Sequence, residues 1–206
     1  MNLTADIALA HRLADAARAA VLPHYRSGLA SERKADASPV TLADRAAEEA
    51  MRRIIKAECP RDAIHGEEFG AETGSSSRTW VLDPIDGTTS FLIGRPIFGT
   101  LIALVVDGWP VLGVIDQPVL GERWIGATGQ PTLLNGQPVR TRLCRELGDA
   151  TLATTGPHYF NDHDGGHFMG LAAKTGMRAP WNEGLYRIAK EAFAKPGFTP
   201  DRKSVV

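Results

Sequence analysis

Little cysteine, no surplus of one charge and no long apolar run mark this sequence, and each shortage removes a class of protein. The two cysteines, Cys59 and Cys144, form neither a metal-binding nor a redox spacing, and a reducing cytoplasm is the expected setting. Lys and Arg number 23 against 24 Asp and Glu, for a net charge of -1. No block of one sign occurs, which argues against a nucleic-acid arm and a polybasic membrane anchor. The longest strongly apolar run, Leu101–Val106, is far too short to span a bilayer. Asp6, His11, Arg12 and Asp15 interrupt the Ala-rich N-terminus, so it does not read as a signal peptide. No Gly-x₄-Gly-Lys-Ser/Thr is present, which removes a nucleotide P-loop. No Gly-x-Ser-x-Gly or catalytic cysteine setting is present either, which removes serine and cysteine nucleophiles.

What is there suits an ordinary globular chain. At 206 residues, 43% hydrophobic and 23% charged, it can bury a real core as one large domain or two small ones. Leu3, Ile7, Ala10, Ala14, Ala17 and Val21 recur at steps of three and four and predict a helix over 3–26. Residues 30–40 read as loop. Thr41-Leu42-Ala43-Asp44 opens a second helix with a capping-box pattern in which Asp replaces the usual Glu. Leu42, Ala46, Ala50, Ile54 and Ile55 are its expected apolar face, and Pro60 closes it. Loop returns at 70–77. Strand patterning then begins: Trp80–Leu82, Gly99–Val106, Val111–Ile115, Glu122–Ala127, Thr132–Leu134 and Val139–Thr141, with turns at Asp107-Gly108 and Asn135-Gly136. A further strand is expected at 151–155, a helix at 165–176 and an irregular tail at 195–204. Trp80, Trp109 and Trp124 read as core or strand-packing residues. The order predicts an α+β fold, layered helices on a mostly antiparallel sheet.

The chemistry gathers around Trp80-Val81-Leu82-Asp83-Pro84-Ile85-Asp86-Gly87-Thr88-Thr89. A short apolar strand ends in one carboxylate, and a second follows three residues later. His65-Gly66-Glu67-Glu68 lies just upstream. Hard divalent cations take oxygen ligands, usually one or two carboxylates completed by water and phosphate. If Gly87-Thr88-Thr89 starts a short helix, its first N–H groups can hold an anion. The same residues also suit plainer roles. Asp-Pro and Asp-Gly are common turn dipeptides, Glu67-Glu68 could be a solvated loop, and Asp44 could serve only as the capping partner of Thr41. The residues alone leave both readings open.

Gly66-Glu67-Glu68 followed by Asp83-Pro84-Ile85-Asp86-Gly87-Thr88 resembles the signature of the inositol monophosphatase family. Lys34, Ser38-Pro39-Val40-Thr41 and Ala43-Asp44 extend the resemblance, as do Leu112–Pro118 and Asn135-Gly136. Asp116-Gln117-Pro118, Glu122-Arg123-Trp124 and Thr154–Phe160 are similar to the branch that hydrolyses histidinol phosphate in histidine biosynthesis. The resemblance implies Mg²⁺-dependent phosphomonoester hydrolysis through two-metal activation of water. It implies Glu67, Asp83, Asp86 and the Ile85 carbonyl as metal ligands. It further implies Thr88, Asp44 and Glu67 as catalytic groups, and Asp86, Gly87 and Thr88 as phosphate-binding ones. The implied partner is a small phosphorylated metabolite, with no nucleic acid and no membrane, and a homodimer is compatible. Inositol monophosphate is the alternative substrate, and a catalytically impaired metal- and phosphate-binding fragment the alternative reading. The similarity fades after Met177-Arg178. Residues 1–178 are therefore expected to form the metal- and phosphate-binding domain, and 179–206 a divergent remnant of a second α/β domain.

Overall fold

The computed structural model describes residues 2–28, 31–33, 39–146 and 149. The chain divides into two units, residues 1–140 and 141–206, and the first contains every helix and strand described below. The strand expected at 151–155, the helix at 165–176, the tail, Lys34 and the boundary at 178 all lie outside the described residues.

Helix α1 covers Thr4–Val21 and passes into a 3₁₀ turn, Leu22–His24, where Pro23 cannot donate to the helical ladder. Strands β1, Ser31–Arg33, and β2, Pro39–Thr41, form a small antiparallel ribbon within the segment expected to be loop. Three-residue strands carry too little periodic signal to be read from sequence. Helix α2 covers Leu42–Glu58. Its capping box is formed: Thr41 Oγ1 accepts from the Ala43 and Asp44 amides, and the Thr41 amide donates to Asp44 Oδ2 at 2.8 Å.

The face of α2 differs from the expected one. Leu42 is exposed, Ala46, Ala50 and Ile54 are half-buried, and the buried positions are Ala43, Asp44, Ala47, Glu48, Met51, Arg52 and Ile55. Apolar periodicity misplaced the face because three buried positions, Asp44, Glu48 and Arg52, hold charged groups.

Eight strands form the main sheet, in the order β10-β9-β8-β7-β6-β5-β3-β4. These are β3 Ala63–Gly66, β4 Gly70–Glu72, β5 Arg78–Asp86, β6 Gly99–Val106, β7 Trp109–Gln117, β8 Glu122–Ala127, β9 Leu133–Leu134 and β10 Gln137–Pro138. All pairings are antiparallel except β3 with β5. Strands β3 and β4 were not expected, and β4 falls within the supposed 70–77 loop. β10 precedes the expected Val139–Thr141, because the tight Asn135-Gly136 turn pairs Gln137 directly with Leu134. Asp107 and Gly108 have φ of 51° and 81°, the double left-handed geometry of a two-residue hairpin turn.

Between α1, α2 and the sheet lies the core. Leu9, Leu13 and Ala17 of α1 and Ala47, Met51 and Ile55 of α2 meet Trp80, Leu82, Ile102, Leu104, Val114 and Ile125. Ala10, Ala14 and Ala17 are fully buried, and their small side chains let the two helices approach closely. Trp80 is fully buried, with Nε1 donating to Asp62 at 3.1 Å. Trp109 is 76% exposed, so the expected packing role does not hold. Its place beside the Asp107-Gly108 turn carries it past the edge of the packed layer. Among the described residues, no helix is long and apolar enough to cross a membrane.

Candidate metal and phosphate site

The candidate site is built on an irregularity in β5. Asp83 pairs with Leu101 and Asp86 with Gly99, so three steps along β5 match two along β6. That is a bulge of one extra residue. Residues three apart on a regular strand point to opposite faces. The bulge removes this conflict: Pro84 and Ile85 are consecutively buried, Asp83 is half-buried and Asp86 exposed. Pro84 lacks the N–H that a regular ladder would need, and its carbonyl accepts from the buried Thr100 hydroxyl at 2.8 Å. Asp83 was expected to end the strand. The strand continues to Asp86 because the bulge keeps the pairing in register.

Gly87 then turns the chain with φ of 89°, a conformation that residues with a Cβ rarely adopt. Thr88–Leu92 forms the short helix α3, with no side-chain cap on its first amides. Thr88 Oγ1 donates to the Ile85 carbonyl at 3.0 Å and stands 3.5 Å from Asp44 Oδ1. The Ile85 oxygen has a second lone pair with which to accept another partner. Asp44 Oδ2 completes the Thr41 capping box while Oδ1 faces Thr88.

Glu67 reaches the same place from β3. Its amide donates to the Leu82 carbonyl at 3.1 Å, continuing the parallel β3–β5 pairing and setting Glu67 beside Asp83. Burial pushes the Asp83 carboxyl up to about 8, helped by hydrogen bonding to Glu67 and by the negative charges of Glu67, Asp86 and Asp44. Asp83 Oδ1 is buried with no hydrogen-bond partner. A buried carboxylate oxygen in that condition costs free energy unless something positive meets it. Among the described residues, no group of three or more His, Cys, Asp or Glu side chains has metal-holding spacing. Hard divalent cations commonly complete their coordination with water and substrate oxygens. An all-oxygen donor set, an unpartnered Asp83 oxygen and mutual repulsion among the carboxylates fit a hard divalent cation.

Sequence reasoning missed two residues that hold this geometry. Glu48 is fully buried on α2 and accepts from the Glu68 amide at 2.7 Å and the Phe69 amide at 3.2 Å. Arg52 donates to Glu48 at 2.7 Å and to the Gly70 carbonyl. The four-residue ladder Asp44, Glu48, Arg52 along one helical face was the available signal.

An α+β domain whose bulged strand presents paired carboxylates beside a short helix start defines the structural class. The chain belongs to the inositol monophosphatase family, whose model matches residues 2–174. Its fold is the one shared by solved members. An inositol monophosphatase from Zymomonas mobilis superposes with a TM-score of 0.74 at 49% identity, covering 86% of this chain and 68% of that one. A histidinol-phosphatase from Chlorobaculum parvum is 40% identical over 183 residues, 88% of this chain and 71% of that protein. The bifunctional phosphatase IMPL2 of Arabidopsis thaliana is 50% identical over 157 residues, 75% of this chain and 45% of that protein. The chain thus spans between 45% and 71% of the length of these curated relatives.

Proposed function

We propose that this chain hydrolyses small phosphomonoesters with Mg²⁺, and that histidinol phosphate is its substrate. The observation that carries the metal-dependent reading is the buried, unpartnered Asp83 oxygen amid Glu67, Asp86 and Asp44. Glu67, Asp83, Asp86 and the Ile85 carbonyl would hold the cations. When bound, these would neutralise charge on the attacking and leaving oxygens and favour ionised water as the nucleophile. The chain's own groups do the rest. Once the Thr88 hydroxyl proton turns from the Ile85 carbonyl to Asp44, Thr88 Oγ1 would accept from an attacking water and orient it for in-line displacement. The amides of Gly87 and Thr88 would donate to phosphate oxygens. No side chain need become covalently phosphorylated.

The substrate choice is supported by relatives named histidinol-phosphatase from Chlorobaculum parvum and Streptomyces coelicolor, the latter 48% identical over 158 residues. The similarity to the Zymomonas mobilis inositol monophosphatase favours inositol monophosphate as the second candidate. Cys59 and Cys144 are both unpaired, which agrees with a reducing, cytoplasmic setting. The test is phosphate release from histidinol phosphate and inositol 1-phosphate by the 206-residue chain, with Mg²⁺ and with excess chelator. Mg²⁺-dependent release that favours histidinol phosphate supports the proposal. Release that persists in chelator contradicts it. A chain that binds Mg²⁺ yet releases no phosphate from either substrate is a binding fragment, not an enzyme.

A further inference from the structure

Glu48 and Arg52 are placed where only the geometry of the Glu67 segment accounts for them. Replacing a buried ion pair by apolar residues of similar volume is often neutral or stabilising, so core stability alone does not call for charges here. The backbone has adapted to this pair. A Cβ on Gly66 would lie 1.9 Å from Glu48 Oε1, so a bare backbone is needed for the carboxylate to close on the segment. Glu48 then accepts from the Glu68 and Phe69 amides. Arg52 fixes Glu48 through Nε, donates to the Gly70 carbonyl, reaches Glu72 at 3.4 Å and lies 5.8 Å above the Phe69 ring. Residues 68–72 are thus held from one helix, and one turn earlier that helix presents Asp44 to Thr88. Glu67 sits between this anchorage and its own amide's bond to Leu82.

We infer that Glu48, locked by Arg52, is a positioning residue that sets where Glu67 stands against Asp83 and thereby sets divalent-cation affinity. The inference rests on the metal-binding part of the proposed function. Outer partners that hold a ligand in place change metal affinity by about 10–100-fold when removed, and Mg²⁺ demands near-ideal geometry.

Glu48→Gln keeps the size of the side chain but replaces one accepting oxygen with a donor and removes the charge. Mn²⁺ binding to the full chain, measured by calorimetry, is expected to weaken about 10-fold or more. Amide hydrogen exchange should quicken at Glu68 and Phe69 while the Thr41 cap stays protected. The Mg²⁺ concentration for half-maximal phosphate release should rise, with kcat largely recovered at saturating Mg²⁺. Glu49→Gln, on the exposed side of the same helix, should bind as the unaltered chain does. Should Glu48→Gln not fold, Glu48→Asp keeps the charge and shortens the reach, and weakening in the same direction is expected. Mn²⁺ affinity within twofold of the unaltered chain in a folded Glu48 variant overturns the inference. An unaltered chain that binds no Mn²⁺ overturns both the inference and the metal reading. Binding without hydrolysis overturns only the proposed reaction, and the Glu48 comparison still decides the inference.

Discussion

Two aspartates of one sheet, on strands separated by β6, are treated in opposite ways. Asp116 on β7 is fully buried, and the chain supplies its counter-charge: Arg18 reaches it from α1 at 2.7 and 3.1 Å, and Arg123 from β8 at 2.6 Å. Arg123 also bonds Asp15 at 2.8 Å. Among the described residues, no Arg or Lys is paired with Asp83 on β5. Its neighbours are three further carboxylates, and one of its buried oxygens has no partner. The contrast separates two uses of buried charge. Asp116 ties a helix to the sheet and is complete within the chain. Asp83 keeps an unmet electrostatic demand, which is what a site for an exogenous cation requires.

The strongest test of the contrast removes the satisfied partner. Asp116→Ala should cost about 3 kcal/mol of stability, the lower end for a broken buried pair because Arg18 is partly exposed. Chemical denaturation would read it, and the remaining folded protein should keep its Mg²⁺ affinity. Asp83→Asn should do the reverse: Mg²⁺-dependent phosphate release falls about 100-fold, near 2.7 kcal/mol of transition-state stabilisation, while the metal-free fold is not weakened.

The pH response should differ as well. Asp83 binds its proton more tightly folded, near 8, than at the ordinary 3.8. Between those values the folded chain holds more protons than the unfolded one, so this group's contribution to stability falls as pH rises. The metal-free melting temperature should therefore decline from about pH 4 to 8 more steeply than in Asp83→Asn. Equal slopes would count against the strained cluster. The smallest effect is expected from Glu49→Gln, whose ion pair with Arg53 spans 3.9 Å on an open surface. Stability should change by less than about 0.5 kcal/mol.

Local features were legible in the sequence and distant ones were not. Gly99–Val106 and Glu122–Ala127 appear with the expected bounds, because alternation and turn residues act over a few positions. The Asp83–Thr88 segment was legible for the same reason: carboxylates, Pro and Gly lie within six residues. The bulge that turns Asp83 and Asp86 the same way depends on pairing with β6 and left no comparable pattern. Glu48 was hidden more deeply. A Glu inside an amphipathic helix looks solvent-facing, and its amide partners lie 20 and 21 residues away. The buried charges of α2 likewise drew the expected apolar face to Leu42 and Ala46.

The central claim is that the Asp83 cluster is shaped to receive a divalent cation. Melting temperature at pH 7.5, followed against Mg²⁺ concentration for the unaltered chain and for Asp83→Asn, tests it most directly. A ligand that binds only the folded state raises stability with the logarithm of one plus its concentration over Kd. The account predicts a rise that continues with the logarithm of Mg²⁺ concentration in the unaltered chain and a flat response in Asp83→Asn. A flat response in the unaltered chain, or the same rise in both, would contradict it.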